Sequence, residues 1–195
     1  MSYSYSNKER YEKISEICKG YDRSFSVLDL GAAEGYFTNR LADDFEGSFI
    51  AVESDKRRGL ANKFKSEGKE NVFLLEKKLT LEDLINISEV NYFDVILALN
   101  VIHHFDEPFQ DVLDVLMSMC SYCVLEHPHM KEDNKTINFQ RIEPEPLNLD
   151  FYNPKFLTET KRWKGVVRKM YLLEDTKEKV IKRRWSGGTY YKEGE

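Results

Sequence analysis

The feature that most constrains this chain is a fivefold alternation of short apolar runs with amphipathic stretches of helical length. Residues 26–30, 48–52, 71–75, 93–99 and 121–125 are apolar almost throughout, each of strand length. Strands of that kind are covered on both faces, the condition of a parallel sheet enclosed by helices. Between them, residues 34–43, 55–65, 81–87 and 107–119 read as helices, with Leu60 and Phe64 four apart and Phe109, Val112, Leu116 and Met119 on one face. Right-handed crossovers wind such units into an open sheet whose ligands sit beyond the C-terminal ends of the strands.

The flanks follow the same rules. Residues 8–19 carry Tyr11, Ile14, Ile17 and Cys18 at helical spacing and stop at Gly20, so residues 1–24 are expected to lay a helix against the sheet or across the ligand site. Residues 127–152 lose all periodicity around Pro128, Pro144 and Pro146, and a run this long next to the ligand side predicts a substrate lid. Residues 154–162 read as a helix with Pro154 in its first turn. Residues 166–173 and 179–185 read as two strands joined closely at 175–178, which forces an antiparallel pair. Residues 186–195 read as a loose tail, and residues 1–195 as one domain without internal repeats.

Composition excludes several classes. No apolar run approaches the roughly 20 residues that cross a bilayer, and the first residues lack the basic-then-apolar form of a signal peptide. Three cysteines, Cys18, Cys120 and Cys123, make no disulfide framework, which predicts a reducing, cytoplasmic setting. The lone Cys120-x-x-Cys123 pair reads as incidental. A net charge of −5 argues against a broad grip on nucleic acid, although Lys155, Lys161, Arg162, Lys164, Arg168 and Lys169 begin a basic C-terminal stretch.

The first strand runs into Asp29-Leu30-Gly31-Ala32-Ala33-Glu34-Gly35, a turn with little side-chain bulk that opens a helix. Backbone of this kind admits a ligand closely, and the helix start offers unpaired N–H groups. The dinucleotide spacing Gly-x-Gly-x-x-Gly would need glycines at 33 and 36, where Ala33 and Tyr36 stand. The pattern Asp-x-Gly-x-Ala-x-Gly instead resembles motif I of the class I S-adenosylmethionine (SAM) methyltransferases, with Ala33 replacing the middle glycine. The resemblance covers residues 25–126 by motif and the remainder by element order. It implies a doubly wound, mostly parallel seven-stranded α/β sheet with a C-terminal antiparallel hairpin and helices on both faces, the Rossmann-like methyltransferase architecture, and SAM as cofactor.

Residue by residue, the resemblance implies a cofactor site of Asp29, Gly31, Ala32, Ala33, Gly35, Glu53, Ser54, Leu79 and Asn100. Glu53 ends the second strand, where the family's acid accepts both ribose hydroxyls, a task suited to one bidentate acceptor. Asp29 falls near the amino and carboxylate end of the cofactor, and Asn100 beside its methionine part and transferable methyl. Lys78 stands where many members place an acid for the adenine amine, which leaves Leu79 and Thr80 as packing candidates.

All four histidines follow strands four and five. His103 and His104 are the candidate catalytic bases, since imidazole titrates near neutrality. His127, His129 and Tyr152 are candidate substrate contacts. Two other readings of the histidines remain: packing or hydrogen bonding alone, or a metal site with Glu126 as in an RNA-terminal methyltransferase class that uses Glu and His ligands, whose spacings do not match here. The chain lacks a motif residue required by each of the base-amino, ribose 2′-O and cytosine-C5 subclasses.

The expected activity is methyl transfer from SAM to an O or N nucleophile of a small-molecule or glycan-like acceptor, without a membrane or obligate protein partner. RNA is the alternative acceptor, favoured by the basic stretch and by Phe139, Arg141, Phe151 and Tyr152 as stacking groups. A catalytically silent SAM-binding protein is the other alternative.

Overall fold

Five strands, β1 (Phe25–Leu30), β2 (Gly47–Val52), β3 (Val72–Leu75), β4 (Phe93–Leu99) and β5 (Cys120–Glu126), run parallel. Helices α2 (Tyr36–Asp44), α3 (Leu60–Ser66), α4 (Leu81–Val90) and α5 (Phe109–Ser118) return the chain between them, and α1 (Tyr3–Cys18) precedes the sheet. Two more strands, β6 (Lys155–Lys161) and β7 (Val167–Glu174), complete a seven-stranded sheet in the order β3-β2-β1-β4-β5-β7-β6. β7 is antiparallel to both β5 and β6. The computed structural model describes residues 3–127, 147–161, 167–174, 185–186 and 189–190.

Strand alternation sorts the core into two layers. Val27, Phe49, Val95, Leu97 and Val124 join Tyr11 and Ile14 of α1 and Phe37 and Leu41 of α2. The intervening Leu28, Leu30, Ile96, Ala98 and Leu125 join Leu84 of α4 and Val112, Leu113 and Leu116 of α5. A β-strand can fill both layers only if both parities are apolar, which is why these runs lack the usual polar alternation. Leu116 is fully buried, so Leu116→Ala is expected to cost about 3 kcal/mol of stability through lost transfer energy and a cavity, read as a lower urea midpoint.

The chain leaves β1 toward β2 on one side, while β4 enters against β1 on the other. That reversal opens a crevice at the C-terminal ends of β1 and β4, the place where open α/β sheets hold ligands.

Local chemistry sets several boundaries. Thr80 Oγ1 accepts from the Asp83 amide at 3.2 Å and Asp83 Oδ2 from the Thr80 amide at 3.1 Å, a reciprocal cap that starts α4 at Leu81. The stretch expected as one helix over 55–65 is split. A single 3-10 turn, Lys56–Arg58, ends at Gly59, whose φ of 65° closes that turn before α3 begins.

One expectation is overturned. Residues 155–161 form strand β6, not a helix, and the hairpin of the sheet is β6 with β7. The sequence carried the signal at period two: Thr158 and Thr160 are buried while Lys155 and Glu159 are exposed. Threonine favours strands because its branched Cβ crowds a helix. Pro154 suited a helix start, but proline also precedes edge strands, where no ladder partner needs its missing N–H. The expected strand at 166–173 is present as β7. Its expected partner at 179–185 lies outside the described residues except for Trp185, which begins a two-residue strand, Trp185–Ser186, paired with Thr189–Tyr190. Most of the expected lid, 128–146, also lies outside the described residues.

Candidate active site

The turn after β1 is built on left-handed backbone. Gly31, Ala33 and Gly35 have φ of 67°, 53° and 68°. An alanine can occupy such a position at about 1 kcal/mol, and the Ala32 and Gly35 amides donate within the protein, to the Val52 carbonyl at 2.9 Å and the Ala32 carbonyl at 2.8 Å. The spaces left by the two glycines are filled by the protein itself. A Cβ on Gly31 would stand 2.9 Å from Val101 Cγ2, and one on Gly35 2.8 Å from Phe64 Cζ. The glycines therefore let the β4 turn and α3 close upon this loop, and Gly31 itself stays exposed at the sheet's C-terminal edge.

Glu53 locks the loop in place. Its Oε2 accepts from the Ala33 amide at 2.9 Å and its Oε1 from the Asp55 amide at 2.8 Å. Arg58 Nε lies 3.6 Å from Oε2, and the Glu53 side chain keeps 11% of its surface exposed. A carboxylate has about four lone-pair sites, so each oxygen of Glu53 retains capacity for a further donor. Ser54, beside it, is exposed.

Asp29 is buried and accepts from Thr38 Oγ1 at 2.6 Å. Burial raises its carboxyl from 3.8 to about 6, with the Thr38 hydrogen bonds pulling the other way and the Glu53 charge adding to the rise. Below 3.8 the group is protonated in both the folded and the unfolded chain. Between 3.8 and about 6 the folded chain holds more protons, so stability falls as pH rises through that window and the loss is complete above it. The step is on the order of 3 kcal/mol. Asp29→Asn is expected to abolish it, so that the variant gains on wild type from acid to neutral pH in urea titrations. Parallel curves would contradict the assignment.

At the neighbouring strand end, Asn100 has φ of 62°, and its amide donates to the Glu126 carbonyl at 2.7 Å. Its Oδ1 is buried and has no hydrogen-bond partner among the described residues. A buried polar atom without a partner is costly, so this oxygen, next to the Gly31–Val101 contact, has capacity to accept from a bound group. Leu79 is buried in the α4/α5 layer, and Lys78 pairs with Asp106 at 2.9 Å.

The turn Ile102–His104 sets His103 against His104 with ring centres 4.1 Å apart and planes tilted by 39°. Burial, then the charges of His104, Arg168 and His127, push His103 down to about 3. Burial also lowers His104, helped by Lys78 and opposed by Glu53. Both imidazoles are therefore neutral at pH 7. His127 lies edge-on to Phe109 at 5.4 Å. Three of the four histidines thus gather at one mouth, and His129 falls outside the described residues. Tyr152 is buried, and its hydroxyl donates to the Asp114 carboxylate on α5. No group of three His, Cys, Asp or Glu side chains that could hold a metal occurs among the described residues.

Several site residues escaped the sequence reading. Thr38 and Arg58 carry no motif. Arg10 meets Glu126 across 116 positions, and no local periodicity pairs residues so far apart.

The donor set fits SAM. Glu53 has acceptor capacity for two hydroxyls, Asn100 offers an oxygen with no partner among the described residues, and Gly31 is exposed at the C-terminal edge of the sheet. The family described as a methyltransferase domain matches residues 28–127, from β1 to the end of β5, and the chain belongs to that family. It is a class I SAM-dependent methyltransferase domain, with SAM as its methyl-donor cofactor.

Solved structures share the fold. The bifunctional kinase-methyltransferase WbdD superposes with a TM-score of 0.63 at 17% identity, covering 96% of this chain and 41% of that one. A second WbdD structure gives 0.68 at 18% identity over 86% of this chain and 35% of that one. The N-terminal domain of EvdMO1 with S-adenosylhomocysteine (SAH) bound gives 0.60 at 18% identity, covering 89% of this chain and 82% of that domain. The chain thus spans well under half of the WbdD chains it matches. No protein of curated function matches the sequence.

Proposed function

We propose that this chain transfers the methyl group of SAM to an oxygen or nitrogen nucleophile of a small-molecule or glycan-like acceptor. The observation that carries the reading is the pair of neutral imidazoles, His103 and His104, beside the donor site formed by Glu53, Asn100 and the Gly31–Gly35 turn. SAM supplies a methyl already activated on a sulfonium. The protein's own task is to align the acceptor in line with that methyl, exclude water and receive one proton.

Glu53 holds the ribose, Asp29 and Asn100 flank the amino-acid end, and Leu79 packs against the adenine. His104 is the better proton acceptor of the two histidines, because a base as weak as His103 has little driving force for proton transfer. His127 borders the acceptor, and Tyr152 fixes residues 147–152 upon α5. A sugar-like acceptor is supported by the net charge of −5, and the N-terminal domain of EvdMO1 has been crystallised in the presence of SAH and D-fucose. Three buried cysteines, a number that makes no disulfide framework, support a reducing, cytoplasmic setting, and no described helix is long and apolar enough to cross a membrane.

Incubation of the purified chain with methyl-labelled SAM and fractionated cell metabolites tests the reading, with mass analysis of what gains label. Label in a small polar compound, lost in His104→Asn at unchanged SAH affinity, is the expected result. Label in RNA, or none in any fraction, would overturn the acceptor assignment.

A further inference from the structure

Glu126 ends β5 with a side chain that is fully buried, an unfavourable place for a carboxylate. Its Oε2 accepts from Arg10 Nη1 at 2.5 Å, and its Oε1 from Thr160 Oγ1 at 2.7 Å. Its main-chain oxygen accepts the Asn100 amide at 2.7 Å. One residue thereby ties α1, β6 and the turn after β4 together. Arg10 extends the link, since its guanidinium lies 5.2 Å from the centre of the Phe37 ring. Phe37 sits in the first turn of α2, directly after the Gly31–Gly35 loop.

Stability alone is a poor account of this arrangement. Apolar side chains of similar volume would hold α1 on the sheet at least as well, because burying two charges cancels most of their attraction. What a charge pair adds is direction: an N–H donor and a carboxylate oxygen meet in a narrow range of distance and angle, whereas an apolar contact tolerates sliding. The pair also lies at the C-terminal edge of the sheet, next to Asn100 with its left-handed backbone and unpartnered Oδ1.

We propose that Glu126 and Arg10 are positioning residues for the donor site. The carbonyl of Glu126 holds Asn100 in its left-handed turn, and the Arg10–Glu126 pair fixes α1 and the start of α2 relative to that turn. Donor affinity then depends on a charge pair that is not itself among the residues assigned to the donor. The inference rests on the reading of this crevice as the SAM site.

The test measures SAH affinity by calorimetry on the full chain, well below the melting transition, with urea midpoints taken in parallel. Glu126→Gln and Arg10→Met are each expected to weaken SAH about tenfold. Leu116→Ala, destabilised on α5 at a residue outside the set assigned to the donor, is expected to keep wild-type affinity. The double variant Arg10→Met/Glu126→Met separates the two roles: it is expected to regain stability while binding SAH as weakly as the single variants. It also carries the test if Glu126→Gln does not fold. Faster hydrogen exchange at the Asn100 amide in the variants is the accompanying expectation. Wild-type affinity in the double variant would overturn the inference and leave the pair a purely structural contact. Failure of the wild-type chain to bind SAH would instead overturn the donor reading beneath it.

Discussion

Replacing Glu53 by alanine is expected to weaken SAH binding by about a hundredfold. A hydrogen bond to a charged acceptor contributes on the order of 1.5–3 kcal/mol, and two hydroxyls would lose theirs together. The variant also releases the Ala33 and Asp55 amides, so the loop itself loosens. Glu53→Gln separates these effects, because its amide oxygen retains one acceptor while the charge is lost. An intermediate affinity for Glu53→Gln is expected. Unchanged affinity in the alanine variant would remove Glu53 from the ribose site.

Gly35→Ala is expected to be strongly destabilising, although it adds a single methyl group. At φ of 68° an L side chain is strained, and the added Cβ would stand 2.8 Å from Phe64 Cζ and 3.1 Å from Leu60 Cδ2. Both neighbours are buried, which leaves them little room to retreat. Backbone strain and overpacking together come to about 3 kcal/mol, or roughly 10 °C in melting temperature for a domain of this size. Gly59→Ala is the internal control: its φ is 65°, but nothing lies within 4 Å of the added atom. It should cost only the backbone share, about 1 kcal/mol. Equal losses at both glycines would show that α3 does not press on the loop.

The two cases differ in how far they could be read from sequence. Glu53 and the Gly31–Gly35 loop were legible because a turn and a strand end are short-range features with few competing explanations. What Gly35 makes room for was not legible. The loop looked open for a ligand, yet Phe64 and Leu60 of α3 occupy the space beside it. The β6 strand shows the same limit differently. Pro154 and the charged residues after it satisfied a helical start, while the alternation of Thr158 and Thr160 satisfied an edge strand. Only pairing with β7 decides between them.

Sequence alone determined the parallel five-stranded core and its helical returns, because apolar periodicity and turn chemistry act over a few residues. The seven residues expected as the fourth strand, Phe93–Leu99, are the seven of β4. Tertiary structure decided which histidines gather at the mouth, how far burial lowers them, and that Arg10 meets Glu126 beside Asn100. Those properties depend on distances between elements far apart in the chain, and on the solvent that folding removes from between them.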